Sequence, residues 1–186
     1  MSEQPPLAAD PSSGPTLPPT TDSRLLTRHP GVLRVRAALQ EQGATGRMLA
    51  FDQPVRTAAA AAEALGVQVG QIASSLLFEA HHLDGTSRPL LVLTSGAHRV
   101  DLVKLSEVLD LDHVALLDAE AVRACTGFAI GGVAPVGHGT VLDTVVDVAL
   151  SRYDEVWAAG GHPRTVFATT YEELLRITAG QAAEVA

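Results

Sequence analysis

At 186 residues the chain is long enough for one domain with a substantial core and too short for two ordinary ones. Hydrophobic residues make up 46% and charged residues 18%, the balance of a soluble globular protein, and no uninterrupted apolar run reaches the roughly eighteen residues that a membrane span needs. A net charge of −8 works against indiscriminate binding to phosphate backbones, while the single cysteine, Cys125, excludes an internal disulfide and a cysteine-cluster metal site and points to a reducing cytoplasm.

The opening residues, Met1 to Pro6, lack the basic and apolar stretches of a signal peptide. Residues 1–23 hold six of the eleven prolines, mixed with serine, threonine and acidic residues. Such a segment buries too little apolar surface to offset its ordering entropy and reads as a disordered leader ahead of a folded domain over 24–186. Arg24, Arg28, Arg34, Arg36, Arg47 and Arg56 follow, opposed by only Glu41 and Asp52, a local excess of +4 that suits an acceptor stem or, equally, a solvated helix face.

Val32, Val35 and Leu39 at near-helical spacing predict a helix over 30–42 that stops at Gly43, followed by a short strand over 48–51. Thr57 and Gly66 bracket an alanine-rich helix over 58–65. Residues 72–80 and 89–94 read as buried strands joined by the polar turn His81-His82-Leu83-Asp84-Gly85-Thr86-Ser87. Asp101 caps a helix over 102–109 that offers Val100, Val103, Leu105 and Val108 to a core. A strand over 114–117 precedes a helix begun by Asp118 and ending near Thr126. Strands follow over 144–148, 156–159 and 165–168, then a helix that starts at Thr170 with a Thr170–Glu173 capping box and ends before Gly180. Strands outnumber the helices available as crossovers, so the expected class is α+β, with a mixed, largely antiparallel sheet and flanking helices.

The stretch Thr126-Gly127-Phe128-Ala129-Ile130-Gly131-Gly132-Val133-Ala134-Pro135-Val136-Gly137 is too rich in glycine for a helix or strand. It can be a tight connection between strands, or a loop that offers main-chain N–H groups to a ligand. Taken with Gly70-Gln71-Ile72-Ala73-Ser74-Ser75-Leu76-Leu77-Phe78 before it and Val156-Trp157-Ala158-Ala159-Gly160-Gly161-His162 after it, it resembles the YbaK/prolyl-tRNA synthetase-associated editing domain family. The similarity runs from about residue 37 to residue 177. The resemblance implies a YbaK-like fold and a free-standing, trans-acting deacylase that hydrolyses the ester of mischarged aminoacyl-tRNA without a metal or other cofactor. Its partners would be the aminoacylated acceptor end of tRNA and an aminoacyl-tRNA synthetase, with no membrane involved. It also implies that the loop from Gly131 to Pro135 holds the aminoacyl group, with Gly127, Gly132, Val133, Ala134, Gly160 and Gly161 around it.

One position departs from the family. Where many members carry a substrate-contacting lysine, this chain has Ser74, and its only lysine, Lys104, lies in a separate helical segment. A serine hydroxyl is short and neutral, whereas an ammonium delivers full charge several ångströms from its backbone. Two readings follow. In one, main-chain donors at Gly131 and its neighbours, with Ser74 on the floor and His162 orienting a polar group, sustain hydrolysis by water. In the other, the chain is a catalytically silent module that binds an aminoacyl or nucleotide ligand or a protein partner.

Other chemistry has less support. His81 and His82 are expected in an exposed hairpin turn, not in a metal site. No phosphate-binding Gly-x-x-x-x-Gly-Lys, dinucleotide fingerprint or nucleophile elbow is present. His162 follows a strand at Gly160-Gly161-His162-Pro163, where an imidazole can serve a site or face solvent. His98, His138 and Asp147 are adequately explained by loop and capping roles.

Overall fold

The computed structural model describes Leu26 and residues 28–186. The proline-rich stretch over 1–23 and Arg24 lie outside the described residues. Eight strands form one sheet: β1 (Met48–Ala50), β2 (Ile72–His82), β3 (Ser87–Ser95), β4 (Leu111–Leu116), β5 (Asp143–Asp147), β6 (Val156–Ala159), β7 (Thr165–Thr169) and β8 (Gln181–Ala183). The order is β1-β7-β6-β2-β3-β5-β8, and β4 joins β2 off this path. Four pairings are antiparallel and three parallel, the mixed sheet expected.

Among the described residues, five helices flank it: α1 (Pro30–Glu41), α2 (Ala58–Leu65), α3 (Leu102–Val108), α4 (Ala119–Thr126) and α5 (Tyr171–Thr178). Their starts are written in capping side chains. Thr57 Oγ1 accepts from Ala60 N, Asp101 from Val103 N and Lys104 N, Asp118 from Ala121 N and Thr170 Oγ1 from Glu173 N, each satisfying amides that a helix start leaves unpaired. Among the described residues, no helix is long and apolar enough to cross a membrane.

Strand alternation divides the core. On β2 and β3, Ala73, Leu77, Leu91 and Leu93 face a layer formed by α1, α4 and α5, represented by Val35, Leu39, Val122, Leu174 and Ile177. Phe78, Ala80, Leu90 and Val92 face the other way, toward Leu105 of α3. Ile72, with Trp157 and Val166, meets Ala61 and Ala62 of α2 on that same side.

Four expectations are corrected. The β2–β3 hairpin is longer than its apolar runs, so His81 and His82 belong to β2, and His81 stacks on His113 of β4 at 4.1 Å between ring centroids. Of the apolar residues expected to serve the core from α3, only Leu105 is buried; Val103 and Val108 are 69% and 45% exposed, because seven residues present one narrow face to the sheet. The capping box of α5 is half formed, since Glu173 takes its hydrogen bond from Thr169 Oγ1. Strand β8, parallel to β5, lies where no strand was expected.

Candidate functional site

The candidate site begins at a break in strand pairing. One edge of β2 is paired with β3 from Ala73 to His81. Its other edge meets β6 only at Ile72 and Ala73, and β4 only from Phe78 onward. Between them, on that edge, Ser74, Ser75 and Leu76 have no strand beside them among the described residues. Leu77 accepts from Leu117 N on that open side, and strand alternation therefore aims the amide and carbonyl of Ser75 the same way.

A cavity of about 240 Å³ occupies the opening. Its wall takes in residues from Val55 to Ala58 at the start of α2, Ile72 to Leu76 of β2, Ile130, Gly131 and Val133 of the glycine-rich loop, and Trp157 to Ala159 of β6. Ser74 and Ser75 point to opposite faces of β2, yet both line this space because the sheet is open there.

The loop reaches the cavity through a backbone that only glycine tolerates well. Gly131 has φ +86°, in the left-handed region. Gly132 has no room for a side chain, because the main chain of His162 fills that place, and this contact ties the glycine-rich loop to the β6–β7 connection. The N–H of Gly132 donates to the Ala129 carbonyl at 2.9 Å, so it is not an open donor. The amides of Gly131 and Val133 donate to no atom among the described residues.

Of the residues singled out in the sequence, the cavity gathers Ser74, Gly131 and Val133. The others stand behind or beside it. Gly127 ends α4 at φ +72°, its carbonyl accepting from Arg34, whose guanidinium also lies 4.7 Å from the centre of the Phe128 ring. Ala134 and Pro135 are buried, and the Ala134 carbonyl accepts from His138 Nε2 at 2.7 Å. Gly160 donates to the Thr165 carbonyl, and Gly161 packs against the main chain of Gly31 on α1. His162 lies outside the cavity wall: its Nδ1 accepts from Arg164 N, which leaves the ring proton on Nε2, and its ring meets that of His29 edge-on at 4.8 Å. Partial burial, with the neighbouring His29 and Arg164, holds the His162 imidazole below the ordinary histidine range.

Three further residues belong to the site. Arg56 is the one charged side chain on the cavity wall, and it makes no hydrogen bond or ion pair with any described residue. The sequence placed it in a basic cluster, but the cluster is divided: Arg34 serves Gly127 and Phe128, Arg47 pairs with Glu155 and covers Trp157, and Arg36 lines a different cavity beside β1. The other two are Ser75 and Trp157, whose Oγ and Nε1 are shielded from water and have no hydrogen-bond partner. Lys104 is engaged elsewhere, with Glu184 at 3.1 Å and the Ala186 main chain. Asp147 is buried under hydrogen bonds from Ser95 N, Thr94 Oγ1 and Ala149 N, with His98 at 2.9 Å, a self-contained structural cluster. No group of three His, Cys, Asp or Glu side chains that could hold a metal ion occurs among the described residues.

This arrangement falls within a known class. The chain belongs to the aminoacyl-tRNA editing domain family, whose model matches residues 52–177. It is similar to a solved structure described as a candidate trans-editing enzyme for prolyl-tRNA synthetase, at 42% identity over 84% of this chain and 96% of that one, with a TM-score of 0.75. It is 25% identical over 136 residues to EbsC of Enterococcus faecalis, named as a candidate Cys-tRNA(Pro)/Cys-tRNA(Cys) deacylase, covering 73% of this chain and 80% of that protein. A third relative is the proline–tRNA ligase of Bacillus licheniformis, 34% identical over 111 residues, of which the match spans 60% of this chain and only 18% of the ligase.

Proposed function

We propose that the chain is a trans-acting, cytoplasmic deacylase that hydrolyses the ester between a wrong amino acid and the terminal ribose of tRNA. The observation that carries this reading is the unfilled cavity, which sets the free edge of β2 opposite Gly131 and Val133 and places one unpaired cation, Arg56, on its wall. Water attacks the ester carbonyl, the bond to the ribose oxygen breaks, and the proton released by water ends on that oxygen. Negative charge gathers on the carbonyl oxygen on the way. The Gly131 and Val133 amides and the Arg56 guanidinium supply donors for it, fixed before the reaction begins. Ser74 lines the floor. Gly132, Gly160, Gly161 and His162 act by holding the loop in place, and Gly127, Ala134 and Pro135 anchor its two ends.

The silent-module reading rests on Ser74 standing where many family members have a lysine. A single-turnover assay with purified protein and a panel of mischarged tRNAs separates the two. The expected result is release of at least one amino acid well above the spontaneous rate, a modest loss in Ser74→Ala on the order of one neutral hydrogen bond, about 1 kcal/mol, and no loss in Ser74→Lys. Spontaneous rates across the whole panel would remove the enzyme and leave the module.

A further inference from the structure

Two imidazoles beside the cavity hold donors that the hydrolysis itself leaves unused. His29 Nδ1 accepts from Gly31 N at 3.2 Å, and His162 Nδ1 accepts from Arg164 N at 3.1 Å. A ring nitrogen that accepts from an amide carries no proton, so each neutral ring keeps its hydrogen on Nε2 and donates from there. Neither Nε2 has a hydrogen-bond partner among the described residues. Both are within reach of a ligand: His29 is exposed, and His162 Nε2 is open to water.

The two rings meet edge-on with centres 4.8 Å apart, which sets the free donors side by side. The charged groups that act on the His162 imidazole are His29 and Arg164, both basic. Free N–H groups among basic neighbours suit an anion, because hydrogen bonds to an ionised acceptor are the strong ones.

The pair also stands one residue from the cavity. The carbonyl of Pro163, next to His162, accepts from Val55 N of the cavity wall at 2.9 Å, and a Cβ at Gly131 would have the Pro163 ring at 3.8 Å and Arg56 at 3.7 Å. On the editing reading the ester sits against Gly131, and the ribose that carries it lies at the mouth. The phosphodiester on the 5′ side of that ribose is only one sugar ring away. On the footing of that reading, we infer that His29 and His162 bind the last phosphodiester of the tRNA, each donating its Nε2–H to an unesterified oxygen. The pair thus positions the terminal ribose, a ligand role for His162 beyond its hold on the glycine-rich loop.

The test compares adenosine with the dinucleotide cytidylyl-(3′→5′)-adenosine, which adds that phosphodiester. Their Kd values are measured by NMR titration of the full chain as wild type, His29→Asn and His162→Asn, with melting curves alongside. An asparagine oxygen can take the place of Nδ1 as acceptor, so the start of α1 and the β6–β7 connection keep their hydrogen bonds while the outer donor is lost. Wild type should bind the dinucleotide about tenfold more tightly than adenosine, the worth of one charge-assisted hydrogen bond, and each variant should close most of that gap with adenosine binding unchanged. Equal binding of the two ligands by wild type, no binding of either, or a gap that survives both substitutions overturns the inference. If one variant melts far below wild type, the other decides alone. A gap that both variants close, in a protein that hydrolyses nothing on the mischarged panel, would sink the editing reading and leave the phosphate contact standing. Hydrolysis by a protein that binds both ligands alike would do the reverse.

Discussion

Gly132 lies against the main chain of His162 so closely that a Cβ there would come within 2.8 Å of both the Cα and the carbonyl carbon of His162. Neither partner is the end of a flexible side chain. The contact fixes the glycine-rich loop against the β6–β7 connection and so sets where Gly131 sits on the cavity wall.

Gly132→Ala should therefore displace backbone and lower stability by about 1–3 kcal/mol, as overpacking does in a filled interior. Denaturant midpoints of the two proteins measure it. A midpoint equal to wild type would show that the two segments part freely.

Gly131→Val acts differently. A Cβ at Gly131 would have Arg56 and Pro163 as its nearest neighbours, at 3.7 and 3.8 Å, ordinary contact distances, so the cost to folding is the positive φ, about 1–2 kcal/mol. The added bulk enters the cavity beside Arg56. Deacylation or ligand binding should fall well beyond what the loss of folded protein explains, with both read on one preparation. Full activity in a folded variant would detach the loop from the site.

Arg56→Ala should leave the melting temperature within a degree or two of wild type, since the side chain holds no described residue. Its deacylation rate should drop on the order of 10²-fold, the usual scale for removing a donor aimed at developing charge. Arg56→Lys keeps the charge and loses the planar fork, and an intermediate rate is expected. An unchanged rate in Arg56→Ala would move the charge stabilisation to the main-chain amides alone.

Two histidines should make the fold less stable in acid. Burial holds the His138 ring below the ordinary histidine range, with Arg34 adding to the shift and the Ala134 hydrogen bond opposing it; His162 is shifted the same way. The unfolded chain thus takes up protons first as pH falls. Stability should be complete above the ordinary histidine value, about 6.5, and should decline as pH drops from there toward the lower folded values. Urea midpoints at about pH 7.5 and about pH 5.5 test it, and His138→Gln, which keeps a donor for Ala134 and cannot titrate, should narrow the difference. An identical difference in that variant would clear His138 of the effect.

Local chemistry made much of the fold legible. Thr57 and Gly66 bracket α2 as expected, and Asp118 and Thr170 mark the starts of α4 and α5, because capping is decided within a few residues. Strand β8 could not be read the same way: three residues after α5 carry no period, and they pair only because β5 offers an edge. At the site, Ser74, Gly131 and Val133 were within reach of the motifs. Arg56, Ser75 and Trp157 were not singled out for it. Arg56 lies some seventy-five residues before Gly131, and only the folded sheet shows that β2 parts from its neighbours where these side chains meet. A strand tryptophan in an otherwise small-residue segment was the one available hint.

The break beside Ser75 also gives the molecule its own gauge of occupancy. Leu91 and Leu93 sit on β3 between β2 and β5, paired on both sides, and their amide hydrogens should exchange with solvent only through large openings of the sheet. The amide of Ser75 lacks such a shield. Its deuterium uptake should be quick in the free protein and slow once something fills the gap, so occupancy can be followed at a single backbone position without waiting for any bond to break.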